Sequence, residues 1–444
     1  ILFFVKKRKG VMVRLKRSEV YIRVRPQVFD GSGHDQNGQG VRKSLKGWDE
    51  TSVELNTEYM FSTGSNKYAF AKKVLGPEVD QQVVFDTIMP ELVEEFTQPG
   101  GTNVMFFAYG QTGTGKTHTI FGESSSLLSR EPTPGWGLFP RVCEATINKM
   151  KGRKFVLSVS AIEFYMCMAY DLLADRSLLQ IGDDYEPLGY KHIVINSTGD
   201  LLEVLENIKQ YRTTRSTKMN QSWGHDEHDG SSRSHCSIIL SLLQLDEQGL
   251  VTKTHFHICD LAGAERPDKV SDDRQTGNHD VDSMNPVWSA LQGKQVSAYA
   301  QGAIINYELF EMGKEVLLAT GLHRKRKAYT PPRQMTSSFI KATGACLGGK
   351  CRTAMIVCLS QAPQCGWETW FSLQYGTNLA ALSAPVVRQK RTKFDLALKT
   401  AVKNEKASRQ RLDNAKQDRF LPLKQATHVE NSELLRRLEY LLKS

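Results

Sequence analysis

The sequence has no long apolar run. No apolar stretch in its 444 residues approaches the roughly 18 that a membrane-spanning helix needs. The apolar start, Ile1–Val5, is too short for the core of a signal peptide. We therefore predict no membrane span. Because the chain does not begin with methionine, we expect it to be part of a longer protein and infer no targeting from its first residue.

Paired cysteines are also missing. The eight cysteines form no C-x-x-C pair and no zinc-finger spacing, which argues against a structural metal site. Cys259 and Cys358 lie in apolar, strand-like runs. The pattern predicts buried thiols in a reducing cytosol.

Acidic residues are scarce at both ends of the chain. Residues 1–17 hold seven Lys and Arg and no acid, and residues 388–444 hold fifteen Lys and Arg against seven acids. The part between is slightly acidic, so the net charge of +10 belongs to the ends. Basic ends suit an acidic polymer, although solvated tails would look the same. Aromatic residues do not interleave with the basic runs, which argues against nucleic acid as the partner.

One glycine-rich stretch is organised around phosphate chemistry. The apolar run Val104–Tyr109 predicts a buried strand, and G-x-x-x-x-G-K-T follows it directly. Glycines there let backbone N–H groups reach phosphate oxygens, Lys116 supplies a positive charge, and the Thr117 hydroxyl suits Mg²⁺. The predicted phosphate-binding residues are Gln111, Thr112, Gly113, Thr114, Gly115, Lys116 and Thr117.

Strands alternate with helical segments around this loop. Apolar strand patterns recur at Phe155–Tyr165, Cys236–Leu245, Thr254–Asp260 and Arg352–Leu359. This alternation predicts an α/β fold of the P-loop NTPase class, in which a central mixed sheet carries helices on both faces.

Four short motifs together resemble the kinesin motor family. Phe107–Thr119 resembles its P-loop, Ser231–His235 its switch I, Asp260–Arg266 its switch II, and Arg23–Pro26 its first strand and adenine-side turn. The resemblance implies the kinesin motor fold over residues 18–384. Residues 1–17 would be a basic N-terminal extension, either joined to the sheet edge or disordered, and residues 385–444 a helical neck or tail segment.

The resemblance implies that the substrate is ATP, released as ADP, and that Mg²⁺ is the cofactor. Thr117 and Ser232 would contact the metal, and Asp260 would hold a metal-bound water molecule.

Four further residues are implied to act at the γ-phosphate. Ser231 would lie beside the attacking water, and Gly263 would donate a backbone N–H to the phosphate. Arg233 and Glu265 would form the salt bridge that closes the site.

The base pocket is implied by the same resemblance. His118 would stack on adenine, and Arg23, Arg25 and Pro26 would complete the pocket. None of these side chains is suited to read a guanine edge, which favours ATP over GTP.

Three segments depart from the family pattern. Gln221–Gly230 separates Asn220 from the first switch I serine and predicts a solvated loop rather than a metal site. The segment from Pro267 to about Ser297 is longer than is usual after switch II. Tyr329–Thr336 lies where the family has the signature Tyr-Arg-Asp-Ser-Lys-Leu-Thr. It does not match that signature residue by residue.

A basic run follows the apolar helical stretch Leu309–Leu322. His323–Lys327 should lie exposed at the end of that helix. In the resembling family this region faces the microtubule, so Arg324, Lys325, Arg326 and Lys327 are the predicted tubulin contacts. A solvated charge run and a nuclear-import signal are the alternatives.

The C-terminal segment predicts two helices. One should run from Lys393 to about Phe420 and be broken by Pro422, and a second, short one should be capped by Ser432. The second carries an apolar stripe formed by Leu434, Leu435, Leu438, Leu441 and Leu442. The stripe could begin a coiled coil, which would make the protein a homodimer, or it could dock on the motor.

The sequence thus favours a microtubule-stimulated ATPase motor of the cytoplasm and cytoskeleton. A kinesin-fold protein that crosslinks microtubules with slow or no ATP turnover is the alternative, and a nucleic-acid-binding P-loop ATPase has the least support.

Overall fold

The computed structural model of the chain describes residues 4–8, 11–26, 43–59, 65–123, 133–182, 187–220, 233–263, 296, 298–331, 337–415 and 418–443. Its strands are β1 (Phe4–Arg8), β2 (Val11–Arg17), β3 (Glu19–Val24), β4 (Leu45–Trp48), β5 (Val53–Leu55), β6 (Lys67–Tyr68), β7 (Lys73–Leu75), β8 (Asn103–Tyr109), β9 (Lys154–Tyr165), β10 (Met168–Asp171), β11 (Ser177–Leu178), β12 (Gln180–Ile181), β13 (Pro187–Leu188), β14 (Ile193–Val194), β15 (His235–Leu245), β16 (Leu250–Asp260), β17 (Cys351–Leu359), β18 (Ser383–Pro385) and β19 (Thr392–Lys393). Its α-helices are α1 (Gln81–Thr97), α2 (Lys116–Phe121), α3 (Leu138–Met150), α4 (Thr198–Asn220), α5 (Ala298–Arg324), α6 (Ser338–Ala345), α7 (Gly366–Ala380), α8 (Phe394–Asp413) and α9 (Leu421–Lys443).

The predicted mixed sheet is confirmed. Nine strands follow the order β11-β10-β9-β15-β16-β8-β17-β3-β7, and β14 and β19 pair with β9 and β16. Both neighbours of β8 run parallel to it, whereas β15 pairs antiparallel with β9 on one side and with β16 on the other. The strand before the phosphate loop is therefore central and hydrogen-bonded on both sides, which explains its unbroken apolar sequence.

Helices cover both faces of this sheet, as predicted. Neighbouring residues of a strand point to opposite faces, so Phe106 and Phe107 enter different cores. Phe106 packs in the cluster that contains Phe139 of α3, and Phe107 in the cluster that contains Leu373 of α7. The loop after β8 consequently emerges from a strand that is fixed on both faces.

The basic N-terminal extension forms strands, although not on the central sheet. β1 pairs with β2, and β2 pairs antiparallel with β18 in a separate three-stranded sheet. Lys16 also forms an ion pair with Glu95 of α1. The start of the chain is thus joined to the strand that follows the last motor helix.

The predicted C-terminal helices are right in number and wrong in their limits. The first, α8, ends at Asp413 rather than near Phe420. The second, α9, begins at Leu421 and passes through Ser432 without interruption. Pro422 lies in the first turn of α9, where its missing N–H costs nothing, so it marks a helix start.

The leucine stripe of α9 docks on the motor. Leu438 and Leu441 are buried with Val156 of β9 and Leu243 of β15. Of the two alternatives left open by the sequence, the structure has the docked one.

All eight cysteines are buried free thiols, as expected from their apolar surroundings. Within the described ranges, no helix combines the length and apolarity that crossing a membrane would require.

Candidate nucleotide-binding site

The phosphate loop connects β8 to α2. Gly110, Gly113 and Gly115 have φ angles of +149°, +78° and +92°, a region that glycine adopts without steric cost. A Cβ on Gly110 would lie 2.3 Å from the carbonyl oxygen of Cys358, so only glycine lets the loop pass β17. A Cβ on Gly113 would approach only Arg25, at 3.8 Å, and one on Gly115 would meet no described atom within 4 Å. The loop backbone is therefore accessible from the side on which phosphates would bind.

Lys116 is buried against this loop. Its Nζ donates to the carbonyl oxygens of Gly110 and Gln111, at 2.9 and 2.8 Å. The side chain is almost fully enclosed. A buried cation at the loop fits the predicted role on the outer phosphates.

Thr117 and Asp260 meet at the predicted metal position. The Thr117 hydroxyl donates to Asp260 Oδ2 at 2.8 Å. Asp260 is the last residue of β16, and its register partner in parallel β8 is Ala108. Strand pairing thus brings two hard oxygen ligands together, which is the donor set that Mg²⁺ prefers.

The two switch segments are described in part. Gly263 packs tightly on the P-loop, because a Cβ there would lie 2.5 Å from the backbone nitrogen of Thr112. Arg233 is partly buried just before β15. Ser231, Ser232 and Glu265 lie outside the described residues, and so do the long segments 221–230 and 267–295. The Arg233–Glu265 salt bridge therefore stays a prediction.

The predicted base pocket is built on an internal hydrogen-bond network. Arg23 is buried and donates to Gln81 Oε1 and Thr119 Oγ1, each at 2.9 Å. Arg25 donates to the carbonyl oxygen of Gly113, and Pro26 is exposed. Arg23 thus supports the fold behind the loop, and its contact with a base stays a prediction.

Gln81 is a residue that sequence reasoning missed. Its Nε2 donates to the carbonyl oxygen of His118 at 2.6 Å and lies 3.2 Å from His118 Nδ1. Burial, and then the charge of Arg23, lower the pKa of His118, so its ring is neutral at pH 7. A neutral imidazole is suited to stacking. Gln81 is the first residue of α1 and lies outside every motif, so the sequence did not indicate this contact.

The basic run lies at the end of α5, as predicted. Arg324, Lys325, Arg326 and Lys327 are all exposed. The prediction is wrong for His323, which is buried and lies with Nε2 2.9 Å from the carbonyl oxygen of Leu347. The same helix exposes large apolar side chains: Tyr307, Phe310, Leu317 and Leu318.

Ser337 directly follows the segment Tyr329–Thr336, which does not match the family signature. It precedes α6, and its side chain accepts a hydrogen bond from the backbone N–H of Ile340. Residues 332–336 lie outside the described part of the chain.

The phosphate loop follows the central parallel strand β8, and Asp260 ends β16, the strand beside it in the sheet. These two features define a P-loop α/β protein. The family model for the kinesin motor domain matches residues 23–382. The chain belongs to the kinesin motor-domain family.

Individual proteins are similar at low identity. The chromosome-associated kinesin KIF4 of Gallus gallus is 30% identical over 325 residues, which cover 70% of this chain and 24% of that protein. The kinesin-like protein cut7 of Schizosaccharomyces pombe is 27% identical over 379 residues, covering 82% of this chain and 32% of that protein. The chain thus spans about a quarter to a third of the length of these relatives.

A solved structure of a fast kinesin has the same fold. It superimposes with a TM-score of 0.62 at 20% sequence identity, covering 84% of this chain and 94% of the solved one. At this identity the likeness concerns the fold alone.

Proposed function

We propose that this chain is a motor domain that hydrolyses ATP and couples hydrolysis to movement or force along microtubules. The proposal rests on one observation above all: within a kinesin-family fold, Lys116, Thr117 and Asp260 lie together at the phosphate loop. Phosphoryl transfer requires a positive charge at the phosphates, a hydroxyl ligand for the metal and a carboxylate near it. Lys116, Thr117 and Asp260 would supply these in that order.

Each of these residues would have a separate task. Lys116 would exchange its carbonyl contacts for phosphate oxygens, and Thr117 with Asp260 would hold Mg²⁺ directly or through water. The bound metal would neutralise charge that develops on the phosphates. Hydrolysis then requires a positioned water and a site that closes, which are the roles proposed for Ser231, Arg233 and Glu265.

The nucleotide is proposed to be ATP. Arg23, Arg25, Pro26 and His118 supply cations, a ring and an apolar surface near the loop, but no acceptor pair for a guanine edge. The neutral His118 ring suits an uncharged base.

The track is proposed to bind along α5. Exposed apolar side chains on that helix, among them Phe310 at 67% exposure, precede the exposed cations Arg324–Lys327. A surface that combines an apolar centre with a cationic border fits an acidic protein such as tubulin. Location on the cytoskeleton follows from the same proposal.

A static crosslinker is the second candidate. The docking of α9 favours it, because the buried Leu438 and Leu441 hold the segment after the motor against the sheet. Such a protein would bind microtubules equally well in every nucleotide state.

Co-sedimentation with microtubules in ADP and in a non-hydrolysable ATP analogue tests the proposal. A motor should change its affinity several-fold between the two states, and Lys116→Ala should abolish the difference. Equal affinities for the wild-type chain would favour the crosslinker.

A further inference from the structure

Two buried cysteines face each other across the turn between α6 and β17. Cys346 directly follows α6, and Cys351 is the first residue of β17. Each side chain is 4% exposed, and the Cys346 thiol donates to Cys351 Sγ at 3.0 Å. The two sulfurs of a disulfide lie about 2.0 Å apart, so a bond between these thiols requires an approach of only about 1 Å.

The fold holds the turn between these cysteines in a fixed place. Gly349 has a φ angle of +96°, and a Cβ there would lie 2.5 Å from the carbonyl oxygen of Pro385. A Cβ on Gly348 would lie 3.1 Å from the carbonyl oxygen of Tyr329. Because the backbone passes this close to its neighbours, packing of the chain brings the two thiols together.

A small cavity borders both thiols. Its volume is about 30 Å³, and its other lining residues include Asn103, Ser237 and His257. A cavity needs roughly 10–15 Å³ to hold one water molecule, so this one has room for a solute of about two non-hydrogen atoms. Hydrogen peroxide has this size, and the polar side chains offer it hydrogen-bond partners. Lys350 also borders the cavity and is exposed, which places the cavity close to the protein surface.

We propose that Cys346 and Cys351 form a redox modification site, at which a peroxide produces a reversible disulfide. One thiol attacks a peroxide oxygen as its thiolate, the O–O bond breaks, and a sulfenic acid and a water molecule are formed. The second thiol attacks the sulfenic sulfur, the S–O bond breaks, and the S–S bond forms as a second water molecule leaves. The protein loses two hydrogen atoms, and one hydrogen peroxide becomes two water molecules. A dithiol reductant restores both thiols by exchange.

A tryptic digest of the 444-residue chain reads this bond directly. Trypsin cleaves after Lys341, Lys350 and Arg352, so the two cysteines fall in separate peptides, 342–350 and 351–352, which only a disulfide joins. The reduced chain is treated with hydrogen peroxide, its remaining thiols are alkylated in denaturant, and the digest is measured by mass spectrometry. We expect the two peptides to appear linked, two hydrogen atoms lighter than their sum, and to separate again when the oxidised chain is first treated with dithiothreitol.

A buried thiol on another helix supplies the matched control. Cys143 of α3 is fully buried, and burial raises the pKa of its thiol, which makes it a poor nucleophile. Cys143→Ala should form the linked peptides as the wild type does. Cys346→Ala and Cys351→Ala should each lose them. In the wild type, the peroxide dose that links the pair should leave Cys143 open to alkylation.

The wild-type digest decides the inference without relying on any variant. Cys346 and Cys351 that stay as fully alkylated as Cys143 would overturn it, and so would their oxidation to sulfinic acids without a linked peptide. A link that forms only when peroxide is added in urea would also overturn it, because the folded chain would then shield the pair.

Discussion

Arg437, seven residues from the end of the chain, donates a hydrogen bond to the Ser241 hydroxyl at 2.9 Å, on β15 of the central sheet. It also donates to Ser158 of β9 at 3.1 Å, and its side chain is 1% exposed. A guanidinium this deeply buried shows that α9 is part of the packed domain. The leucines beside it cannot at the same time form the seam of a coiled coil, so docking and dimerisation through this stripe exclude one another.

Truncating the docked stripe should destabilise the domain itself. Leu441→Ala removes a fully buried side chain and should lower the free energy of unfolding by about 2–5 kcal/mol. Leu442→Ala, at the next position but 51% exposed, should change it by less than about 0.5 kcal/mol. Urea unfolding of the 444-residue chain measures both. Equal, small effects would mean that α9 does not dock in solution.

The polar groups beneath α9 predict a loss of stability in acid. Burial, and then the positive charges of Arg437, Lys253 and Arg436, lower the pKa of His192 well below 6.5. The pKa of a histidine in the unfolded chain is about 6.5. Below that pH the unfolded chain therefore binds a proton at His192 that the folded chain does not bind. Stability is fully present above pH 6.5 and falls as the pH drops below it, by up to about 1.4 kcal/mol per pH unit for this histidine.

Unfolding measured between pH 7.5 and 5 tests this dependence. His192→Asn should reduce the slope of stability against pH by the equivalent of about one proton. Leu442→Ala, a substitution of a non-titrating, exposed residue on α9 itself, should leave the slope unchanged. Buried His255 and His257, whose pKa values are also lowered, would supply the remaining slope. A stability that does not change between pH 7.5 and 5 would contradict the burial of these rings.

Replacing Lys116 should weaken nucleotide binding. Lys116→Ala deletes the buried charge at the phosphate loop and should weaken ATP affinity by roughly 10- to 150-fold, the equivalent of about 1.5–3 kcal/mol for a hydrogen bond to a charged group. Lys151→Ala, an exposed lysine in the turn after α3, is the matched control. Titration with a fluorescent ATP analogue measures both, and unchanged binding by Lys116→Ala would reject this loop as the phosphate site.

Neutralising the exposed cations at the end of α5 should weaken the track contact. Replacing Arg324, Lys325, Arg326 and Lys327 with Ala should lower microtubule affinity and flatten its dependence on salt, because exposed charge pairs are screened within a Debye length of about 8 Å at physiological ionic strength. Basal ATPase should hardly change. Part of any effect could arise from the helix dipole, which these cations also complement.

The control for that experiment carries the same change in charge elsewhere. Lys399, Lys403, Lys406 and Arg411 are exposed cations of α8, in the basic C-terminal segment. Co-sedimentation across a salt series should separate the two quadruple variants. If the α8 variant lost affinity and the α5 variant did not, the basic end of the chain would be the microtubule contact.

The sequence correctly predicted the parts of this molecule that are determined by residues close together in the chain. The apolar run before Gly110 predicted the central strand, and the G-x-x-x-x-G-K-T pattern predicted the loop whose φ angles only glycine adopts readily. Asp260 could be placed at a strand end because it closes the strand pattern Thr254–Asp260.

The predictions that were wrong or missing concern residues whose contacts are with distant parts of the chain. Ser432 resembled a helix cap, but α9 continues through it because docking on β9 and β15 stabilises the whole helix. His323 belonged to an exposed basic run by sequence, yet the carbonyl of Leu347 gives it a buried partner. Gln81 lies outside every motif, and its contact with His118 joins residues far apart in the chain.

The central claim is that this domain turns over ATP and that microtubules accelerate it. The direct measurement is steady-state ATPase of the wild-type chain with and without microtubules, beside Glu265→Ala, which should bind ATP yet fail to hydrolyse it. We predict a rate that rises at least about tenfold with microtubules in the wild type and stays at background in Glu265→Ala. A wild-type rate at background under both conditions, with microtubule binding intact, would contradict the motor and leave the static crosslinker.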